Sequence, residues 1–244
     1  MNDAADDASN APAGAGPPPA GAHPAAPSDA VPAIALAGVD RRWGRERVLR
    51  DVHLEVTAGR IVMLRGHNGS GKTTLLRLLA TRLRPSAGRG AVFGHDLARE
   101  AAAVRRHVAY LSVAPGTYGA LTARENLRLA TTLLRRPPAD ADAALERVGL
   151  AAHGNRLVRV FSSGMKRRLA LARLLLTDAP LWLLDEPYAS LDEDGRRLVD
   201  QLLEGARRDA RTVLVASHEP ARLARFVDAT IHLEQGALHR EAAP

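Results

Sequence analysis

Between residues 34 and 64 the apolar positions of this chain change rhythm. "IALAGV" and "RVLRDVHLEV" alternate apolar with polar or small residues, as half-buried strands do, whereas "IVMLRG" after Gly59 is a continuous apolar run suited to a strand covered on both faces. "KTTLLRLLATRL" then takes helical spacing, and the ring and missing N–H of Pro85 predict its end. From about residue 97 to residue 160 the pattern is mostly helical, with "LAREAAAVRRH", "TARENLRLATTLLRR" and "ADADAALERVGL" punctuated by Pro115, Gly116, Pro137 and Pro138, which predicts an inserted helical subdomain. Beyond it, "GMKRRLALARLLLTD" predicts a helix that stops at Pro180. "LWLLDE" and "TVLVAS" read as buried strands with the helix "DEDGRRLVDQLLEGARR" between them. Strand, helix, strand predicts a parallel α/β sheet.

Residues 1–32 stand outside this pattern. They are rich in Ala, Pro and Gly and nearly lack large apolar groups, so burial cannot offset the entropy of ordering them. A disordered tail is expected over 1–32 and one folded domain over 33–240. The tail opens with Asp3, Asp6 and Asp7 and forms no apolar h-region, which argues against a secretory signal. No apolar run approaches the roughly 18 residues of a spanning helix, "LLRLLATRL" being interrupted by Arg77 and Arg82.

Charge changes the picture in one respect. The tail holds four aspartates and no Lys or Arg, so the net charge of the remainder rises from +7 to +11. The arginines are scattered rather than blocked, and at 3% aromatic residues there is no stacking platform, so nucleic acid is not an expected partner. With no cysteine, disulfide scaffolds and thiolate metal sites are excluded. All but two of the 34 basic side chains are arginine, and the exceptions are Lys72 and Lys166.

Lys72 lies in "GHNGSGKTT", residues Gly66, His67, Asn68, Gly69, Ser70, Gly71, Lys72, Thr73 and Thr74, which matches GxxxxGK[ST] between a predicted strand and a predicted helix. Glycines let the backbone wrap phosphates, the helix start aims N–H donors at them, and Thr73 offers a hydroxyl to Mg²⁺. A compact ammonium suits the inside of that wrap better than a planar guanidinium. "LWLLDEP" sets Asp185 and Glu186 at the carboxyl end of a buried strand, where α/β sheets bind ligands. Asp185 suits a metal, and Glu186 suits the orientation or deprotonation of water. Taken alone, the pair equally fits a helix start before Pro187. Ser162, Ser163 and Gly164 open a basic helix whose N–H groups can bind phosphate, although plain N-capping by serine explains them as well. His218 follows the strand "TVLVAS".

In order, these segments resemble the nucleotide-binding subunit of an ATP-binding cassette (ABC) transporter over residues 34 to 238. The resemblance implies an α/β fold, a P-loop NTPase of ABC type with a mostly parallel core sheet, an N-terminal antiparallel β-subdomain and an inserted helical subdomain. It further implies ATP and Mg²⁺ as ligands, Thr73 and Asp185 on the metal, Glu186, His218 and Lys72 in catalysis, and Trp43 stacked on adenine. Ser162, Ser163, Gly164 and Asp192 (in "SLD") would complete the ATP site of a second copy or a paralogous ATPase in a head-to-tail dimer. The implied partner is a separate transmembrane permease, and the implied location is peripheral, on the cytoplasmic face of a bacterial inner membrane. "FSSGMKRRLALARLLL", "DEPYASLD" and the "YLS…LTARENL" segment are similar to the ATP-binding subunit of the cytochrome c biogenesis (haem exporter) system. Drug and polysaccharide exporters share the "GMKRRL"-like helix.

Two departures accompany the resemblance. Val113 stands where the family carries a glutamine that touches metal and water, so Ser112 or an ordered water is expected to substitute; Ser163 and Met165 replace glycine and glutamine in the signature. A soluble cassette ATPase acting on ribosomes or nucleic acid and a phosphate-loop kinase are the rival readings.

Overall fold

A computed structural model describes residues 31–114 and 116–240. The tail expected over 1–32 therefore falls almost wholly outside the described residues. Two sheets share the chain. The first is antiparallel and contains β1 (Ile34–Trp43), β2 (Glu46–Val56), β4 (Ala87–Val92) and β5 (His95–Asp96), in the order β2-β1-β4-β5. The second contains β3 (Ile61–Arg65), β6 (Val108–Leu111), β7 (Leu181–Asp185), β8 (Thr212–Ala216), β9 (Ala229–Glu234) and β10 (Ala237–Arg240), in the order β10-β9-β3-β8-β7-β6. Its strands are parallel except for β10. A mixed, mainly parallel core sheet with an antiparallel N-terminal sheet results, the α/β architecture that the sequence led us to expect.

Continuous apolar runs make this core because each face of the parallel sheet is covered. Ile61, Met63, Trp182, Leu184, Val213 and Val215 point into one apolar cluster, and Val62, Leu64, Leu181, Leu183, Leu214 and Ala216 into the other. The first cluster is closed by α5 (Ser163–Leu175) and α6 (Glu193–Arg208), the second by α1 (Lys72–Leu79) and the antiparallel sheet. Alternation at period two thus sorts side chains between two cores rather than between core and water.

The stretch from 97 to 160 is not helical throughout. After α2 (Ala101–His107), Val108–Leu111 joins the core sheet beside β7, each residue paired in parallel register from Val108 with Leu181 to Leu111 with Leu184. Helices of the insertion begin only with α3 (Ala123–Leu133), whose start is fixed by reciprocal hydrogen bonds between Thr122 and Glu125, and continue with α4 (Ala139–Arg147) and two short 3-10 turns. α1 also ends early. Thr81 adopts a left-handed φ of 54°, and the N–H groups of Arg82 and Leu83 fold back on the Arg77 carbonyl, so the helix stops before Pro85 can act. α5 likewise ends before its proline, at Leu175, with Leu176 still in the right-handed region. A last helical turn, α7 (Pro220–Leu223), precedes β9.

Candidate functional site

Strand order brings four segments side by side at the carboxyl edge of the core sheet. β3 runs into the phosphate loop, β8 into Ser217 and His218, β7 into Asp185 and Glu186, and β6 into Ser112 and Val113. A cavity of about 350 Å³ opens there, walled by Asn68 to Thr74, Asp185, Glu186, His218, Val48 and Val113. A larger cavity of about 750 Å³ lies between the antiparallel sheet and the β9–β10 edge, but no phosphate-loop residue reaches it, and neither do Asp185 and Glu186.

The loop needs glycine for steric reasons. A Cβ at Gly66 would sit 2.3 Å from the Leu233 carbonyl oxygen and 2.5 Å from Ser70 Oγ, and Gly71, the residue that opens α1, has a φ of 108°. Lys72 is folded back into the loop, only 8% exposed, where Nζ donates to the carbonyls of Gly66 (2.6 Å) and His67 (3.0 Å). Burial pulls its pKa below the usual lysine value, opposed by the nearby charges of Glu186 and Asp185. Ser70 Oγ is buried without a hydrogen-bond partner. An orphaned donor beside an inward-folded ammonium is a cradle for an anion.

Asp185 is 1% exposed and held from two sides: Thr73 Oγ1 donates to Oδ1 at 3.2 Å, and Tyr110 OH donates to Oδ2 at 3.2 Å. Burial and the Asp185 charge push the Tyr110 phenol up to about 12, so it stays a donor. Glu186 follows in a left-handed conformation, φ 50°, that few non-glycine residues adopt. Its N–H donates to the Ala216 carbonyl at 2.8 Å. Oε2 accepts from the His218 backbone N–H at 3.2 Å, and Oε1 lies 3.3 Å from His218 Nε2, close enough for attraction although the angle makes no hydrogen bond. Burial raises the Glu186 pKa above the ordinary carboxylate value, with His218 and Lys72 opposing and Asp185 reinforcing.

Ser162, Ser163, Gly164 and Asp192 come together elsewhere. Ser162 Oγ caps α5 by accepting from the Met165 N–H, and Asp192 caps α6 by accepting from the Gly195 N–H while Arg168 Nη2 donates to it at 2.6 Å. Gly164 lies so near the α6 start that a Cβ would approach the Ser190 carbonyl oxygen to 2.8 Å. None of the four lines the phosphate-loop cavity. Trp43 is absent from that cavity wall too; it is 49% exposed at the end of the β1–β2 hairpin, with the Arg41 guanidinium 4.5 Å from the centre of one ring face. Val113 faces the cavity. Ser112 does not replace a glutamine, because its hydroxyl donates to the Ala114 carbonyl, and Ser112 is missing from the cavity wall.

Tyr110 and Arg167 are the site residues that sequence reasoning missed. Arg167 reaches from α5 to the backbone behind Asp185 and Glu186. One arginine in the four-cation helix "GMKRRLALAR" carries no sequence mark of burial, and Tyr110 lies in "VAYL", a segment too short, between helical stretches, to mark itself as a strand.

The donor set fits a nucleotide and a hard cation. Among the described residues no group of three or more His, Cys, Asp or Glu can hold a metal alone. One carboxylate and one hydroxyl beside a phosphate cradle is the usual protein share of a Mg²⁺ site, phosphate oxygens and water completing it.

Comparison with known proteins agrees. The family model described as "ABC transporter" matches residues 49–189. The chain is 41% identical over 189 residues to a daunorubicin resistance ATP-binding protein of Streptomyces coeruleorubidus, a match covering 76% of this chain and 60% of that protein. It is 42% identical over 178 residues to a cytochrome c biogenesis ATP-binding export protein of Xylella fastidiosa, covering 72% of this chain and 82% of that one. Among solved structures, an ATP-binding cassette captured as a dimer in a post-hydrolysis state with ADP and Pi aligns with a TM-score of 0.78 at 26% identity, over 86% of this chain and 97% of that chain. The ATP-binding subunit of an ABC transporter aligns at a TM-score of 0.77 and 26% identity, over 85% and 89%.

Proposed function

This chain belongs to the ABC transporter family and is an ATP-hydrolysing enzyme coupled to a transport process, and on that premise we propose that it is the motor subunit of an exporter of the cytochrome c biogenesis type. The observation that carries the motor role is the joint position of Glu186, Asp185, Thr73 and Lys72 around one cavity at the sheet edge. Lys72 and the N–H groups at the start of α1 bind β and γ phosphates, and the buried Ser70 hydroxyl gains a partner there. Thr73 and Asp185 hold Mg²⁺, which when bound neutralises phosphate charge. Glu186, with its pKa raised by burial, accepts the proton of the attacking water, and His218 beside it keeps the carboxylate directed at the cavity.

Ser162, Ser163, Gly164 and Asp192 serve the nucleotide of a second copy or a paralogous ATPase. Their distance from this chain's own phosphate loop supports that role, as does the dimer formed by a solved relative. Trp43 offers its free ring face to adenine. Among the described residues no helix is long and apolar enough to cross a membrane. On this reading a separate permease supplies the transport path and holds the subunit at the cytoplasmic face of a bacterial inner membrane.

The match to the cytochrome c biogenesis protein spans most of that relative, whereas the match to the drug-resistance protein leaves two fifths of it uncovered. That difference favours the first cargo class; identities of 41% and 42% keep drug export as the second reading. Affinity capture of this subunit from detergent-solubilised membranes is expected to recover a polytopic membrane protein. Recovery with ribosomes and no membrane protein would sink the transporter reading. Loss of c-type cytochromes on deletion supports haem export, while intact cytochromes with raised sensitivity to an amphipathic drug favour the second.

A further inference from the structure

Arg167 is a buried cation that the steps above leave unused. It lies on α5, is 2% exposed, and forms no ion pair within 4.0 Å among the described residues. Instead it donates only to main-chain carbonyls. Nη1 reaches Ser112 O at 2.6 Å, Nη2 reaches Asp185 O at 2.7 Å and also Glu186 O, and Nε reaches Pro187 O at 3.3 Å. Three successive carbonyls can converge on one guanidinium because the chain turns at Glu186 through its left-handed φ of 50°. Burying a charge against neutral oxygens is costly, so the arrangement needs a use that a leucine would not serve.

We propose that Arg167 is a positioning residue for hydrolysis: it fixes the backbone at Glu186, and hence the aim of its carboxylate, and ties that backbone to Ser112 and to the helix that opens with Ser162 to Gly164. The inference rests on Glu186 acting as the base. It adds a mechanical path between the cavity wall and a patch none of whose four residues lines that cavity. The α5 start is the patch assigned to a second copy, and Arg167 stands one helical turn inside it. A shift of that helix when another subunit docks would be carried by a rigid planar group straight to the residues that flank the water. Ser112, next to Val113, brings the head of the inserted region into the same junction, where a valine has no polar group to do so. Burial pulls the guanidinium down to about 10, with Asp185 and Glu186 opposing, so it remains charged at neutral pH. Lysine does not reproduce the junction, because a point ammonium cannot serve carbonyls spread around a fork.

Steady-state ATP hydrolysis by the full chain, with Arg167→Lys and Arg167→Gln, tests this. Expected are a fall in kcat of about tenfold for Lys and on the order of 10²-fold for Gln, with the KM for ATP nearly unchanged, as for a misaimed catalytic group. Combined with Glu186→Gln, neither substitution lowers the residual rate further, because no carboxylate is left to aim. A folded Arg167→Lys with wild-type kcat overturns the proposal, as does a further loss in the Glu186→Gln background. The lysine variant keeps the buried charge, so its result stands even where Arg167→Gln fails to fold. Failure of the wild type to hydrolyse ATP would instead overturn the functional reading beneath it.

Discussion

The phosphate-loop cavity and the paired helix starts at Ser162 and Asp192 are built from the same residue types, yet one is buried and the other exposed. In the first, Lys72 donates back to the carbonyls of its own loop and Thr73 donates across to Asp185. In the second, Asp192 has a side chain 70% exposed, and the hydroxyl of Ser162 only closes its own helix. Burial fixes geometry, because a low-dielectric pocket makes each misplaced polar group costly. Exposure leaves a half-site free to meet something. The difference teaches that a buried set of polar groups is fixed by its own contacts, whereas, on the proposed reading, the exposed set is half of a lid that another subunit completes.

Four experiments break or sharpen that contrast. The largest effect is expected from Glu186→Gln, which should cut phosphate release by about 10²–10⁴-fold while leaving ATP binding intact, since the cradle does not use this carboxylate. Unchanged hydrolysis would show that the buried half is not where the chemistry occurs. Lys72→Arg keeps the charge but must seat a larger planar group between the Gly66 and His67 carbonyls; turnover is expected to drop on the order of 10²-fold. Near-normal rates there would mean that charge alone suffices.

Mixing tests the exposed half directly. Lys72→Ala disables the cradle and Gly164→Val the helix start, whose added Cβ has no room beside Ser190. Neither alone should hydrolyse ATP well, whereas a mixture should regain activity, because one composite site is then wild type. No recovery at any ratio would place both halves in one chain and dissolve the contrast. The smallest effect concerns pH. Because burial raises the Glu186 pKa, and the ionised carboxylate is the working form, the acid limb of kcat should lie above the range of an exposed glutamate. His218 opposes that rise, so His218→Ala should move the limb higher still; a shift to lower pH would contradict the assignment.

Much of this was legible because β3, β7 and β8 are covered on both faces and so write themselves as apolar runs. β6 was not. "VAYL" is only four residues long and sits between helical stretches, and its identity depends on pairing with β7, 73 residues later. β9 and β10 escaped because β10 forms the sheet edge and "ATIHLE", beside it, is less completely buried than the central strands. The order of the chemical segments was readable, and with it the phosphate loop and the acidic pair. Their grouping was only partly so, since nothing in "FSSGM" distinguishes a cap that faces its own cavity from one that faces away. The rescue assigned to Ser112 failed because a hydroxyl near a chain turn finds a local carbonyl first.

One contact also bears on how the molecule is made. Gly66 nestles against the carbonyl of Leu233 on β9, a residue 167 positions further along the chain. At the usual pace of translation, about 5–20 residues per second, the loop would be synthesised roughly ten to thirty seconds before the strand that backs it. During that interval the nascent chain has its lysine and glycines but no wall to press them against. Competence to grip a nucleotide would then arrive late and all at once, when β9 docks beside β3, so an unfinished polypeptide on the ribosome would be spared from spending ATP.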